Sequence, residues 1–259
     1  MLFFGFTFIA ALVSVIVPVV LLRVFSKKWK LSRKIFWRSG MAGIVAALLV
    51  FGVTLNLNGS FPAFDQLPIW LEALILGFVS GLFMELGKFL VLDRLMPMIR
   101  SRESGLLFGL GWSGVSFIFL GLILAFGVFG MQNLATTTDI NSVVPNADSD
   151  QIQFLQASQQ QIQELAAGSP FKAFTPLMES TATIILDMGL VLLIILGFNK
   201  KQTRFTWFAV GIRTALSAAL IYASQIDGFP IEIVFAGWIL VGGLLIFYLQ
   251  KTFKPMKAV

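Results

Sequence analysis

The sequence predicts an all-α, polytopic membrane protein of about seven transmembrane helices. Two observations carry this. Of 259 residues, 57 % are apolar and only 12 % are charged, about half the charged share of a soluble globular domain. Apolar runs of about 20 residues, enough to cross the hydrocarbon core of a bilayer as a helix, recur along the whole chain. The net charge of +6 comes from basic residues that flank those runs rather than forming a stripe. The lipid bilayer is therefore the expected partner, and nucleic acid is not.

In chain order the spans are expected at Leu2–Leu22, Gly40–Leu57, Ile69–Leu92, Leu106–Gly130, Phe171–Phe198, Thr206–Ala223 and Ile231–Gln250, within one membrane domain over residues 1–259. The first run has no basic flank before it and no small-residue cleavage site, so it reads as a retained helix rather than a signal peptide. Its phenylalanines, Phe3, Phe4, Phe6 and Phe8, read as bulk facing lipid. Trp37, Trp70 and Trp207 fall near span ends, where an amphipathic ring suits the interface.

Basic residues fall on one side of this plan. The first connection holds Arg23, Lys27, Lys28, Lys30, Arg33, Lys34 and Arg38; the third holds Arg94, Arg100 and Arg102; the fifth holds Lys200, Lys201 and Arg204. The end of the chain adds Lys251, Lys254 and Lys257, making 16 of the 19 Lys and Arg. Opposite connections hold only Lys172, with Asp65, Asp139, Asp148, Asp150, Glu164 and Asp227. By the positive-inside rule the N-terminus is expected outside and the C-terminus in the cytoplasm.

One connection is long, residues 131–170, and is expected outside. Its first half, TTTDINSVVPNADSD, lacks periodicity and reads as loop. Its second half, QIQFLQASQQQIQEL, places Ile152, Leu155, Ile162 and Leu165 at helical spacing and predicts a short amphipathic helix.

Five ionisable side chains interrupt the apolar runs: Glu85, Lys88, Glu179, Asp187 and Arg213. Each charge at membrane depth carries about 2.5–3.5 kcal/mol on insertion scales and must be paired, hydrated or functional. Glu85 and Lys88 lie three apart and share a helix face. Glu179 and Asp187, eight apart, also share one. Two pairs are expected, Glu85–Lys88 and Asp187–Arg213, although Arg213 stands only about two turns from a span end, within reach of the interface by snorkelling. In the fourth span Gly105, Gly109 and Ser113 repeat every four residues, a spacing for close helix packing. The chain has no His and no Cys. That removes disulfides, thiol chemistry and the usual zinc ligands together.

The third to sixth spans, Gly77 to Tyr222, resemble the YhfC family of intramembrane metalloproteases, distant relatives of the CAAX-type membrane proteases. Where that family has G-L-x-E-E-x-x-R, this chain reads G-L-F-M-E-L-G-K. It keeps Glu85, with Met84 for the first acid and Lys88 for the Arg. Where the family has G-x-G-H-G-x-x-E, G-L-G-W-S-G-V-S puts Trp112 for the His and Ser116 for the Glu. Glu179 is kept; Ser180 stands for an Arg, Asp187 for a His, and Arg213 for the last His. The resemblance implies a zinc ion held in the membrane, a glutamate activating water, and a cell membrane location.

The residues themselves point away from that chemistry. Catalytic zinc takes three protein ligands plus an open position. Carboxylates alone suit a hard cation, yet here they would share their cavity with Lys88 and Arg213. The expectation is a protease-like fold with no catalytic, metal or cofactor site: Glu85 and Glu179 as inherited acids, Lys88, Asp187 and Arg213 as neutralising additions. Its role would be a scaffold or accessory subunit beside other membrane protein subunits. Two other readings stay open, an active peptidase with an atypical site and a component that relays protons or ions.

Overall fold

A computed structural model of the protein describes residues 2–60, 66–137, 149–167, 170–226 and 228–253. Among these residues there are eight α-helices and no strand. They are α1 (Leu2–Trp29), α2 (Lys34–Ser60), α3 (Ile69–Leu90), α4 (Arg102–Thr136), α5 (Ser149–Ala167), α6 (Thr175–Lys200), α7 (Arg204–Ser224) and α8 (Glu232–Leu249). A π turn, Val91–Leu95, prolongs α3, and a 3-10 turn, Pro170–Phe174, leads into α6. Seven helices, all but α5, are long and apolar enough to cross a membrane. Several outrun their expected spans: α1 runs on to Trp29 and α2 starts at Lys34. Helical hydrogen bonding continues into the polar flanks, where hydropathy gives no signal.

The chain divides into two compact units. The first comprises Met1–Val17 and Phe117–Met178. Within it α1 and α4 meet closely at Gly121, where a Cβ would stand 2.8 Å from the Ala11 carbonyl oxygen. The phenylalanines of α1 do not simply face lipid here. Phe4 is buried and Phe3, Phe6 and Phe8 are half-buried. They pack ring against ring: Phe3 on Phe4, Phe6 on Phe174 and Phe8 on Phe129. Aromatic pairing of this kind adds to area burial.

The helix expected in the second half of the long connection is α5. It docks through amides: Gln159 Nε2 donates to the carbonyls of Leu134 (2.9 Å) and Thr137 (2.8 Å), and Gln163 Nε2 to that of Ala135 (2.8 Å). The final carbonyls of a helix lack intrahelical partners, and α5 supplies them for α4. Ile152, Leu155 and Ile162 are half-buried, whereas Phe154 is 71 % exposed. Of the loop expected in the first half of this connection, Thr136 instead ends α4 and Ser149 and Asp150 open α5, while residues 138–148, with Asp139 and Asp148, lie outside the described residues, as do Asp65, Asp227, Lys254 and Lys257.

The second unit comprises Pro18–Ser116 and Glu179–Val259. Its centre is α6, buried at every residue from Leu186 to Gly197. Glycines let other helices reach it. A Cβ on Gly109 would stand 2.6 Å from the Met188 Cα, and one on Gly189 would stand 2.9 Å from the Gly242 carbonyl, bringing in α4 and α8. On α3, a Cβ at Gly77 would stand 2.7 Å from the Thr214 carbonyl on α7. Without a hydrophobic drive between helices in lipid, such close backbone contact is what holds a bundle together. Trp37, Trp70 and Trp207 are exposed in the first turns of α2, α3 and α7.

A buried charge tetrad as the candidate functional site

Four ionisable side chains meet inside the second unit. Glu85 and Lys88 come from α3, Asp187 from the buried middle of α6 and Arg213 from α7. Lys88 Nζ donates to Glu85 Oε1 at 2.5 Å and to Asp187 Oδ1 at 2.7 Å. Arg213 Nη1 donates to the same Asp187 oxygen at 3.1 Å. Glu85, Lys88 and Asp187 are 0 % exposed and Arg213 is 5 % exposed.

The local sequence dictates this arrangement. A spacing of three puts Glu85 and Lys88 on one face of α3. Gly81, one turn before Glu85, lets α3 approach the Val210 carbonyl on α7. Gly109 does the same for α4 beside the Asp187 carbonyl. Two aromatic rings flank the cations. Lys88 Nζ lies 5.8 Å from the Trp112 ring centroid and the Arg213 guanidinium lies 5.4 Å from that of Trp238, both within cation–π range. Trp112 is itself buried and stacks on Phe108; Trp238 Nε1 donates to the Leu216 carbonyl.

The alternation Glu85–Lys88–Asp187–Arg213 sums to zero formal charge. Unpaired, four such groups would carry on the order of 10 kcal/mol of insertion cost, comparable with the whole stability of a typical domain. Pairing is thus a condition of folding. It is incomplete, since Glu85 Oε2, Asp187 Oδ2 and Arg213 Nε have no protein hydrogen-bond partner.

Of the six residues singled out from the sequence, five converge here: the tetrad and Trp112. The two expected pairs are joined into one network by Lys88. Arg213 does not snorkel; it turns inward to Asp187. Glu179 stands apart, half-buried and in no ion pair among the described residues. Eight residues of helix separate it from Asp187 by about 12 Å along the axis. Trp238 escaped the sequence reading. Its signal was position, because it lies well inside a span whereas Trp37, Trp70 and Trp207 lie at helix ends.

Among the described residues no group of three or more His, Cys, Asp or Glu is placed to hold a metal ion. The two acids of the tetrad have their Oδ1 and Oε1 oxygens taken by ammonium and guanidinium donors. A divalent cation at this point would sit between two fixed positive charges.

Comparison with known proteins agrees with the fold. No solved structure matches the chain. A membrane protein of Bacillus subtilis (strain 168), YhfC, described as uncharacterized, is 23 % identical over 261 residues, 95 % of each chain. The model of the YhfC intramembrane metalloprotease family matches residues 13–235. This integral membrane protein therefore belongs to the YhfC intramembrane metalloprotease family.

Proposed function

We propose that this chain is a non-catalytic member of its family, a multi-pass protein of the cell membrane that serves as a scaffold or accessory subunit in a larger membrane assembly. One observation carries the reading: Lys88 Nζ bonds Glu85 and Asp187 at once, at 2.5 and 2.7 Å, with Arg213 on the same aspartate. The family's name implies a metal, and these residues do not fit one. A catalytic zinc site wants three ligands and an open position; this cavity offers two carboxylates already engaged by two cations. Trp112, whose indole nitrogen only donates, fills the adjoining space as an inert wall. Glu179 is too far along α6 to complete a ligand set.

A charge-neutral, close-packed core supports a structural role. The amphipathic α5, with Phe154 exposed outside the spans, gives such a protein a surface for neighbouring subunits. The excess of Arg and Lys in alternate connections supports a cytoplasmic C-terminus.

Purification in mild detergent without dissociating neighbours, followed by elemental analysis, tests this. Stoichiometric co-purifying membrane subunits and no bound metal are expected. One retained equivalent of metal, together with peptide hydrolysis abolished by Glu85→Gln, would overturn the reading.

A further inference from the structure

Beside the tetrad, α2 and α3 part to leave a groove open to the membrane. Its inner part, about 570 Å³, is walled by Ala46, Leu49, Leu82, Phe83 and Leu86 and floored by Gly87 and Trp112. Its outer part, about 580 Å³, runs past Met41 and Met96 to Trp37 and Arg38. Ala42, Val45, Val91 and Leu95 line both parts, so the groove is continuous. The π turn, wider than an α turn, supplies one wall through Val91 and Leu95. Along its length the lining is apolar until Arg38.

Arg38 is exposed, and its guanidinium makes no ion pair or hydrogen bond with the described residues. Lys34 stands four residues earlier on the same face of α2, at the helix N-terminus, where backbone N–H groups also favour an anion. An apolar trough ending at a cationic mouth suits a molecule with one greasy tail and one anionic head. The groove is too small to enclose a protein helix. A transmembrane helix about 10 Å across and 30 Å long occupies on the order of 2,000 Å³, whereas each part of this groove lies inside the roughly 300–1,000 Å³ range of small-molecule sites.

We infer that the α2–α3 groove holds one acyl chain of an anionic phospholipid, with the headgroup phosphate on Arg38. The tail ends at Gly87, against which the buried Trp112 ring packs: a Cβ at Gly87 would stand 3.3 Å from that ring, which also lies 5.8 Å from Lys88 Nζ. The lipid thus seats the indole that screens the tetrad. This is distinct from the loose annular contact of the exposed helix faces, because the groove is recessed and has a headgroup anchor. The inference is independent of whether the tetrad is catalytic.

Native mass spectrometry on delipidated, detergent-solubilised protein titrated with phosphatidylglycerol or phosphatidylcholine tests it. One phosphatidylglycerol is expected to bind about tenfold more tightly than phosphatidylcholine, the order of one charge-assisted hydrogen bond. Arg38→Gln should erase the preference, and Ala42→Phe should abolish retention of either lipid. Should Ala42→Phe fail to fold, Val45→Trp fills the same trough from an exposed position. Equal affinity for the two lipids in the unaltered protein, or retention unchanged in both Arg38→Gln and the filled variant, would mean annular lipid only and overturn the assignment. So would a polypeptide of defined mass that occupies the groove and is displaced by the filling substitution.

Discussion

Lys88 on α3 donates a 2.7 Å hydrogen bond to Asp187 on α6, joining residues 99 positions apart. Without it the tetrad would be two separate pairs. With it, Asp187 serves two cations and Lys88 serves two anions, so removing either inner member orphans an outer one, Arg213 or Glu85, while removing an outer member leaves a net buried charge.

The first prediction follows. Asp187→Ala strips from Arg213 the only anion it bonds among the described residues, and half the partners of Lys88; breaking a buried pair in this way destabilises by about 3–5 kcal/mol. Replacing all four residues together with apolar ones of similar size removes charge and partner alike, and such replacement is often neutral. The quadruple variant Glu85→Leu, Lys88→Met, Asp187→Leu, Arg213→Met is therefore expected to unfold at a higher temperature than Asp187→Ala alone. Thermal unfolding in detergent measures both. The opposite order would mean that the tetrad is not a closed structural unit.

Close helix contact gives a second prediction. A Cβ at Gly43 of α2 would lie 2.9 Å from the Trp112 carbonyl carbon on α4. Backbone cannot yield as a side chain can, so Gly43→Ala is expected to destabilise by about 1–3 kcal/mol and to shift the fluorescence of Trp112. Gly52, on the same helix, has nothing within 4 Å of its Cβ position. There the alanine should stabilise, by roughly 0.5–1 kcal/mol, through reduced backbone entropy.

Two helix ends supply the third. α1 and α6 both stop on a lysine in the left-handed region, Lys30 at φ 53° and Lys201 at φ 54°. The next amide bonds back in each case, Leu31 N–H to the Ser26 carbonyl (3.2 Å) and Gln202 N–H to that of Gly197 (2.8 Å). This is the hydrogen bond of a Schellman cap, where glycine is the usual residue. A left-handed residue with a Cβ costs about 1–2 kcal/mol. Lys201→Gly is expected to recover about 1 kcal/mol, read as a raised unfolding midpoint, while the same substitution at exposed Lys28, inside α1, should lower it.

Much of this was legible in the sequence. The seven spans were written in apolar length, and α5 in the spacing of Ile152, Leu155 and Ile162. What stayed hidden depends on how helices rotate about their axes. Glu179 and Asp187 share a face of α6, and periodicity alone cannot say that the neighbours enclose only the lower half of that face. The bridge from Lys88 to Asp187 needs α3 and α6 side by side, which no local pattern encodes. The groove is likewise invisible in sequence, because Ala42, Ala46 and Gly87 read as ordinary small residues until α2 and α3 are seen to part over them.

Orientation gives the last prediction. The basic residues Arg23 to Arg38 join α1 to α2, and α5 lies between α4 and α6, an odd number of spans away from that connection. The positive-inside rule puts the basic connection in the cytoplasm and α5 outside. The chain has no Cys, so a single introduced thiol reports alone. Lys27 and Phe154 are both exposed, and neither touches the tetrad. In intact cells a membrane-impermeant maleimide should label Phe154→Cys and leave Lys27→Cys unlabelled until the membrane is opened. The reverse pattern would invert the topology and place the mouth of the α2–α3 groove, at Arg38, on the outer leaflet. Labelling of both variants in intact cells would be incompatible with three intervening spans.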